Sequence, residues 1–268
     1  MTGQVCAFAA TCLGLVYLSM AGAPGRYLIV NAGALIIGLV LSVLIGTGRG
    51  VSTRLGILGL SLLLLATALF GISLEGARRW ISVGGLAMQP SLIVLPAMIL
   101  AFGVSRDRWS ALGMVVAAGA LALQPDRAMA GALAAGLGAL FVLRRERSVG
   151  IALLAAIAGF VVTLVRADGL PAMPMVEGVY ASAFQVHALA GLAVLVGTGL
   201  LLVPAVLGVA ADRDRRAKGL VFGATWLAII AAAALGNYPT PVVGYGSSAI
   251  LGYVISLGWL SRREADRR

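Results

Sequence analysis

Two adjacent arginines, Arg78 and Arg79, followed by Trp80, lie in what reads as a short loop, residues 76–91 (GARRWISVGGLAMQPS), between long apolar runs. Guanidinium groups are planar forks of N–H donors that grip phosphate or carboxylate oxygens in pairs. Charge is scarce on this chain, so an arginine pair beside Gln89, Pro90 and Ser91 points to an anionic ligand held at the edge of a bilayer. A second polar cluster, Gln124-Pro125-Asp126-Arg127, and a third at residues 237–248, with Tyr245, Ser247 and Ser248, interrupt the apolar pattern in the same way. Between the second and third lie Asp168 and Glu177, two carboxylates in a loop.

The elements that must position these residues are membrane helices. The composition is 60% hydrophobic and 11% charged, with a mean hydropathy of +1.02. Apolar stretches near the length of a bilayer span recur from end to end. Residues 1–268 therefore read as a single all-α bundle without a soluble domain. The first run, residues 5–22, has no basic leader and reads as a first span rather than a cleaved signal. The formal net charge of +10 raises the question of nucleic acid. The basic residues sit in short clusters between spans, which membrane topology explains better. Cys6 and Cys12 share the first span, so they form neither a disulfide framework nor a metal site.

Ten spans are expected, near residues 5–22, 27–47, 54–73, 90–104, 109–124, 128–143, 149–166, 180–210, 218–236 and 243–260. The fourth to sixth are short, and Pro204 is expected to kink the long eighth. With both termini cytoplasmic, 15 of the 20 basic residues fall inside. The five outside are Arg26, Arg78, Arg79, Arg127 and Arg166. That bias is the positive-inside pattern, and moving the count by one helix destroys it. The abundant small residues are read as close helix packing, and the in-span Asn31, Gln185 and His187 as interhelical hydrogen-bonding groups.

This orientation gathers Arg78, Arg79, Glu75, Asp126, Asp168, Glu177 and the 237–248 stretch on the outward face. Arginines and carboxylates converging there suit a phosphate-bearing lipid whose tail lies in the bilayer and whose head meets the loops.

GARRW followed by QPS, then QPD, then PTPVVGYGSS before a last span, occur in the order seen in the SEDS family (shape, elongation, division and sporulation), which the chain resembles as a divergent, compact relative. The resemblance implies ten spans with both termini inside. It also implies polymerisation of lipid II, a lipid-pyrophosphate-linked disaccharide, at the outer face of the bacterial cytoplasmic membrane. That activity serves cell division or cell shape, with a class B penicillin-binding protein as partner. Residues 76–80 match the family's GARRW, and Gln89, Pro90 and Ser91 its QPSE, with Leu92 in place of the Glu. Gln124, Pro125 and Asp126 match QPD, continued by Arg127-Ala128-Met129-Ala130. Residues 239–248 are similar to LPxPFVSYGGSS with one glycine fewer. The family's long outward loop after the seventh span is much reduced. In residues 174–181 Glu177 takes the place of its essential Asp, Tyr180 that of an aromatic, and Gln185 that of a downstream Glu.

Glycan polymerisation displaces a lipid pyrophosphate by a sugar 4-hydroxyl. A general base near that hydroxyl typically contributes about 10²- to 10⁴-fold, and cations must stabilise charge on the leaving group. On the resemblance, Glu177 is the expected base with Asp168 in reserve, and Arg78 and Arg79 are the pyrophosphate clamp. Trp80, Gln89, Ser91, Gln124, Asp126, Tyr245, Ser247 and Ser248 form the rest of the expected substrate site; residues 244–248 offer N–H groups and hydroxyls at a helix start. No metal ligands are expected, and a divalent-cation requirement stays open. Other readings also remain open: a catalytically impaired SEDS-like scaffold or regulator of envelope synthesis, or a lipid-carrier flippase. A small-solute transporter is opposed by the lack of an inverted repeat.

Overall fold

The computed structural model describes residues 2–47, 52–74, 76–166 and 171–262. Eleven helices occur among them: α1 (Thr2–Met20), α2 (Gly25–Gly46), α3 (Thr53–Phe70), α4 (Pro90–Val104), α5 (Arg108–Leu123), α6 (Arg127–Leu143), α7 (Arg147–Val165), α8 (Val179–Val186), α9 (Ala188–Val209), α10 (Arg213–Leu235) and α11 (Ser247–Ser261). Six of these are long and apolar enough to cross a membrane, and α4, α5, α6 and α11 are shorter apolar helices. With α8 set aside, the ten helices follow the ten expected spans, and the chain is a polytopic helical membrane protein. An even number of crossings brings both ends to one face. There Lys218 Nζ, at the start of α10, donates to the Arg262 carbonyl beyond α11 at 2.7 Å.

The short helices are the shielded ones. Most of α4 is buried, with Leu95, Met98, Ile99 and Phe102 in the core. It packs on α11, which in turn lies against α2. Around this centre α1 packs on α9, α3 on α5, and α10 on α6 and α9, while α7 closes against α5 and α6. The α4–α11 contact depends on Gly252, where an added Cβ would lie 2.0 Å from the Leu92 carbonyl oxygen. Polar side chains start several helices: Asp107 caps α5 through the N–H groups of Trp109 and Ser110, and Asp212 caps α10 through that of Arg215.

Two expectations need correction. The segment around Arg78 and Arg79 is not an irregular loop but a three-stranded antiparallel sheet, β1 (Ile72–Leu74), β2 (Ala77–Val83) and β3 (Leu86–Met88), in the order β1-β2-β3. Gly84 and Gly85, with φ of 56° and 80°, make the two-residue turn that pairs Val83 with Leu86. Two successive positive φ values are what a tight hairpin requires and what glycine permits. The eighth span breaks at His187, not at Pro204. Pro204 sits buried inside a continuous α9, whereas the extended His187 (φ −170°) separates α8 from α9. Its Nδ1 accepts from the Leu189 N–H at 3.1 Å, so this exposed histidine is a helix cap and not an interhelical group.

Candidate functional site

Neighbouring residues of a strand face opposite ways, and β2 applies this rule to its arginine pair. Arg78 is exposed, and its Nη1 donates to the Leu69 carbonyl at 2.9 Å. Arg79 turns inward and is only 3% exposed. Its Nη2 donates to the Pro125 carbonyl, and its Nε to that of Gln124 at 3.4 Å. The rings of Trp80 and Tyr238 lie 6.0 and 5.9 Å from its Cζ. A guanidinium fixed by carbonyls and bracketed by rings is presented in one orientation.

The carboxylate partner comes from far along the chain. Glu177 closes a turn in which its Oε2 accepts from the Met173 N–H and its own N–H donates to the Met173 carbonyl at 3.0 Å. This turn is attached to the loop before α11. Thr240 N–H donates to the Val176 carbonyl at 2.8 Å, and Tyr245 N–H to that of Met175 at 2.7 Å. Burial pushes the Glu177 carboxyl above the ordinary glutamate range, partly opposed by the Met173 N–H and by the positive charge of Arg79. The charge of Arg79 is thus felt at Glu177, with no direct ion pair between the two among the described residues.

Beneath them lies a buried hydrogen-bond network built from the other motif residues. Asp126 Oδ2 accepts from Gln89 Nε2 at 2.9 Å and Ser91 Oγ at 2.8 Å. Its Oδ1 accepts from the Met129 N–H at 3.3 Å and so caps α6. Gln89 N–H donates to Ser248 Oγ at 2.9 Å. Gln124 Nε2 donates to the Leu64 carbonyl at 2.8 Å. Asp126, Gln89, Ser91, Gln124 and Ser248 are all buried, so QPS, QPD and the serines of α11 hold one another and form the floor of the site. Trp80, Tyr245 and Ser247 are half-buried at its surface. Asp168 lies outside the described residues. Among the described residues no three of His, Cys, Asp and Glu come together as metal ligands.

Three contributors escaped sequence reasoning. Asn31, expected to bridge helices, instead grips the loop before α11: its Nδ2 donates to the Gly244 carbonyl at 2.9 Å and its Oδ1 accepts from the Gly246 N–H at 3.1 Å. Tyr238 serves Arg79, its ring centre 5.9 Å from the guanidinium carbon. Tyr27 stacks on Tyr245 with ring centroids 3.6 Å apart and planes 7° from parallel. Only the 27-to-31 spacing, one helical turn on one face, hinted that Tyr27 and Asn31 of α2 act together.

No family model matches the chain. RodA from Thermus thermophilus is similar in structure, with a TM-score of 0.64, 24% identity, and coverage of 97% of this chain and 95% of that one. A mutant of the same RodA gives 0.63 and 25% identity with the same coverage. A chain from a peptidoglycan synthase complex gives 0.59 and 22% identity, covering 97% of this chain and 96% of that one. Among curated proteins, FtsW of Mesostigma viride is 42% identical over 57 residues, a match spanning 21% of this chain and 14% of that relative. Along nearly its whole length the chain has the RodA fold, and it carries an FtsW-like segment of 57 residues.

Proposed function

We propose that the chain polymerises a lipid-pyrophosphate-linked disaccharide, lipid II, at the outer face of the bacterial cytoplasmic membrane, in division or cell-shape maintenance. The Mesostigma viride relative is named, provisionally, a peptidoglycan glycosyltransferase, and one structural relative comes from a complex that coordinates polymerisation and crosslinking of peptidoglycan. A class B penicillin-binding protein is the corresponding partner for this chain.

One observation carries the reading: Glu177, on a turn bonded to the loop before α11, is a carboxylate of raised basicity that feels the positive charge of Arg79, a guanidinium fixed by the Gln124 and Pro125 carbonyls. Glu177 takes the proton of the acceptor 4-hydroxyl as the new glycosidic bond forms. Arg79 stabilises the charge that grows on the departing pyrophosphate. The sheet modifies the clamp: Arg79 alone faces the site, and Arg78 buttresses the end of α3. Asp126 and its partners keep the strand, α4, α6 and α11 in register beneath the reacting groups. The reading is tested with the purified full chain in proteoliposomes given labelled lipid II, where glycan strands are the expected product.

A second reading, a scaffold in an envelope-synthesis complex, is favoured by Leu92. This residue stands where the motif's Glu is expected and is buried in the apolar core, 3% exposed. Absence of strands, with co-purification of envelope synthases, would select it.

A further inference from the structure

Five arginines belong to the outward face, and four of them have donors committed to backbone carbonyls. Arg78 donates to Leu69, Arg79 to Gln124 and Pro125, Arg127 to Thr163 and Arg166, and Arg166 to Ala122 and Leu123. Arg26 is the exception: among the described residues its exposed guanidinium has neither a carbonyl nor a carboxylate partner. It is nevertheless held in place. Its Cζ lies 5.5 Å from the centre of the Tyr27 ring, and Tyr27 is stacked face to face on Tyr245 at 3.6 Å. Tyr245 is bonded through its N–H to Met175, two residues before Glu177. One turn along α2, Asn31 fastens both sides of Tyr245 by its bonds to Gly244 and Gly246. The start of α2 is thus tied rigidly to the loop that positions Glu177, and its free guanidinium lies where the helix emerges from the bilayer.

We propose that Arg26 is a phosphate-binding residue of this same outward site, taking the phosphate of a polyprenyl-pyrophosphate-linked glycan, with Tyr27 as the residue that positions it. The inference rests on the polymerase reading and adds to it a second cationic contact from α2. Arginine is suited to the task because its planar donors pair with two phosphate oxygens at once. The same chemistry would also hold the phosphate of an ordinary anionic phospholipid, so the test must separate the two.

The experiment measures binding to the full-length protein in nanodiscs, with disaccharide-linked polyprenyl pyrophosphate as one probe and phosphatidylglycerol as the other. Arg26→Gln is expected to weaken the pyrophosphate probe about tenfold, the loss of one charge-assisted phosphate contact, and to leave phosphatidylglycerol unchanged. Tyr27→Leu should act in the same direction, and Tyr27→Phe, which keeps the ring, should bind as the parent does. Because Arg26 is exposed, Arg26→Gln decides the matter even where Tyr27→Leu fails to fold. Unchanged pyrophosphate binding in Arg26→Gln overturns the inference and leaves the polymerase reading standing. An equal loss of both probes overturns it in favour of a general headgroup anchor. A parent protein that binds no pyrophosphate probe overturns both readings together.

Discussion

Arg79 and Glu177, nearly a hundred positions apart, are coupled electrostatically: the guanidinium's charge partly offsets the cost of desolvating the carboxylate. The relationship depends on two unrelated devices. A strand with alternating faces turns Arg79 inward while Arg78 faces out, and a five-residue turn docked on the loop before α11 carries Glu177.

The two arginines should therefore separate sharply on substitution. Arg79→Lys keeps the charge but loses the fork, and polymerisation should fall by roughly 10²-fold, a few kcal/mol of transition-state stabilisation. Arg78→Gln should stay within a few-fold of the parent. Strand yield per unit time in proteoliposomes checks both.

The pH dependence has a definite sign. With its carboxyl raised by burial, Glu177 is ionised only above the ordinary glutamate range, so the acid limb of the rate profile should lie above that range. Arg79 holds the carboxyl down, so Arg79→Gln should move the limb to still higher pH, whatever it does to the maximum. Stability follows the same linkage. The half-buried neutral carboxyl contributes fully below the ordinary value, and that contribution is lost as pH rises through the raised one. Glu177→Gln should thus melt no lower than the parent at neutral pH and gain relative to it as pH rises. Rate profiles and melting curves of parent and variants over the same pH range check this.

The floor beneath the pair should respond as structure. Asp126→Ala leaves Gln89 and Ser91 with buried unpaired groups and removes the cap of α6, a loss of about 3 kcal/mol. Gly252→Ala should also destabilise, because the added methyl meets the Leu92 carbonyl in a rigid helix crossing. Thermal melting in detergent should show lowered transitions for both.

Much of this was legible beforehand. Apolar run length and the basic-residue count on each side located the ten spans, because in lipid both are dictated by solvation. Spacing of polar motifs located the outward face. What could not be read was how neighbouring polar residues divide their work. Arg78 and Arg79 are identical in type, and only the Gly84-Gly85 hairpin decides which one faces inward. Asp126 carries the same carboxylate as Glu177, yet its donors are Gln89 and Ser91 from another motif, a pairing no local pattern reveals. His187 in an apolar run looked like an interior group because a capped break inside one span leaves the hydropathy unchanged.

Loop anchoring offers a further check. Asn31→Ala frees the backbone on both sides of Tyr245 and removes two hydrogen bonds, about 1 kcal/mol each. Hydrogen exchange of the Gly244 to Gly246 amides should quicken while the α4 core keeps its protection.

The most direct measurement is single-enzyme turnover of lipid II by Glu177→Gln in proteoliposomes, beside the parent and Glu177→Asp. Strands from the parent, a loss of about 10²- to 10⁴-fold in Glu177→Gln and partial recovery in Glu177→Asp are the predicted result. Undiminished strand synthesis by Glu177→Gln would contradict the assignment of this carboxylate as the base.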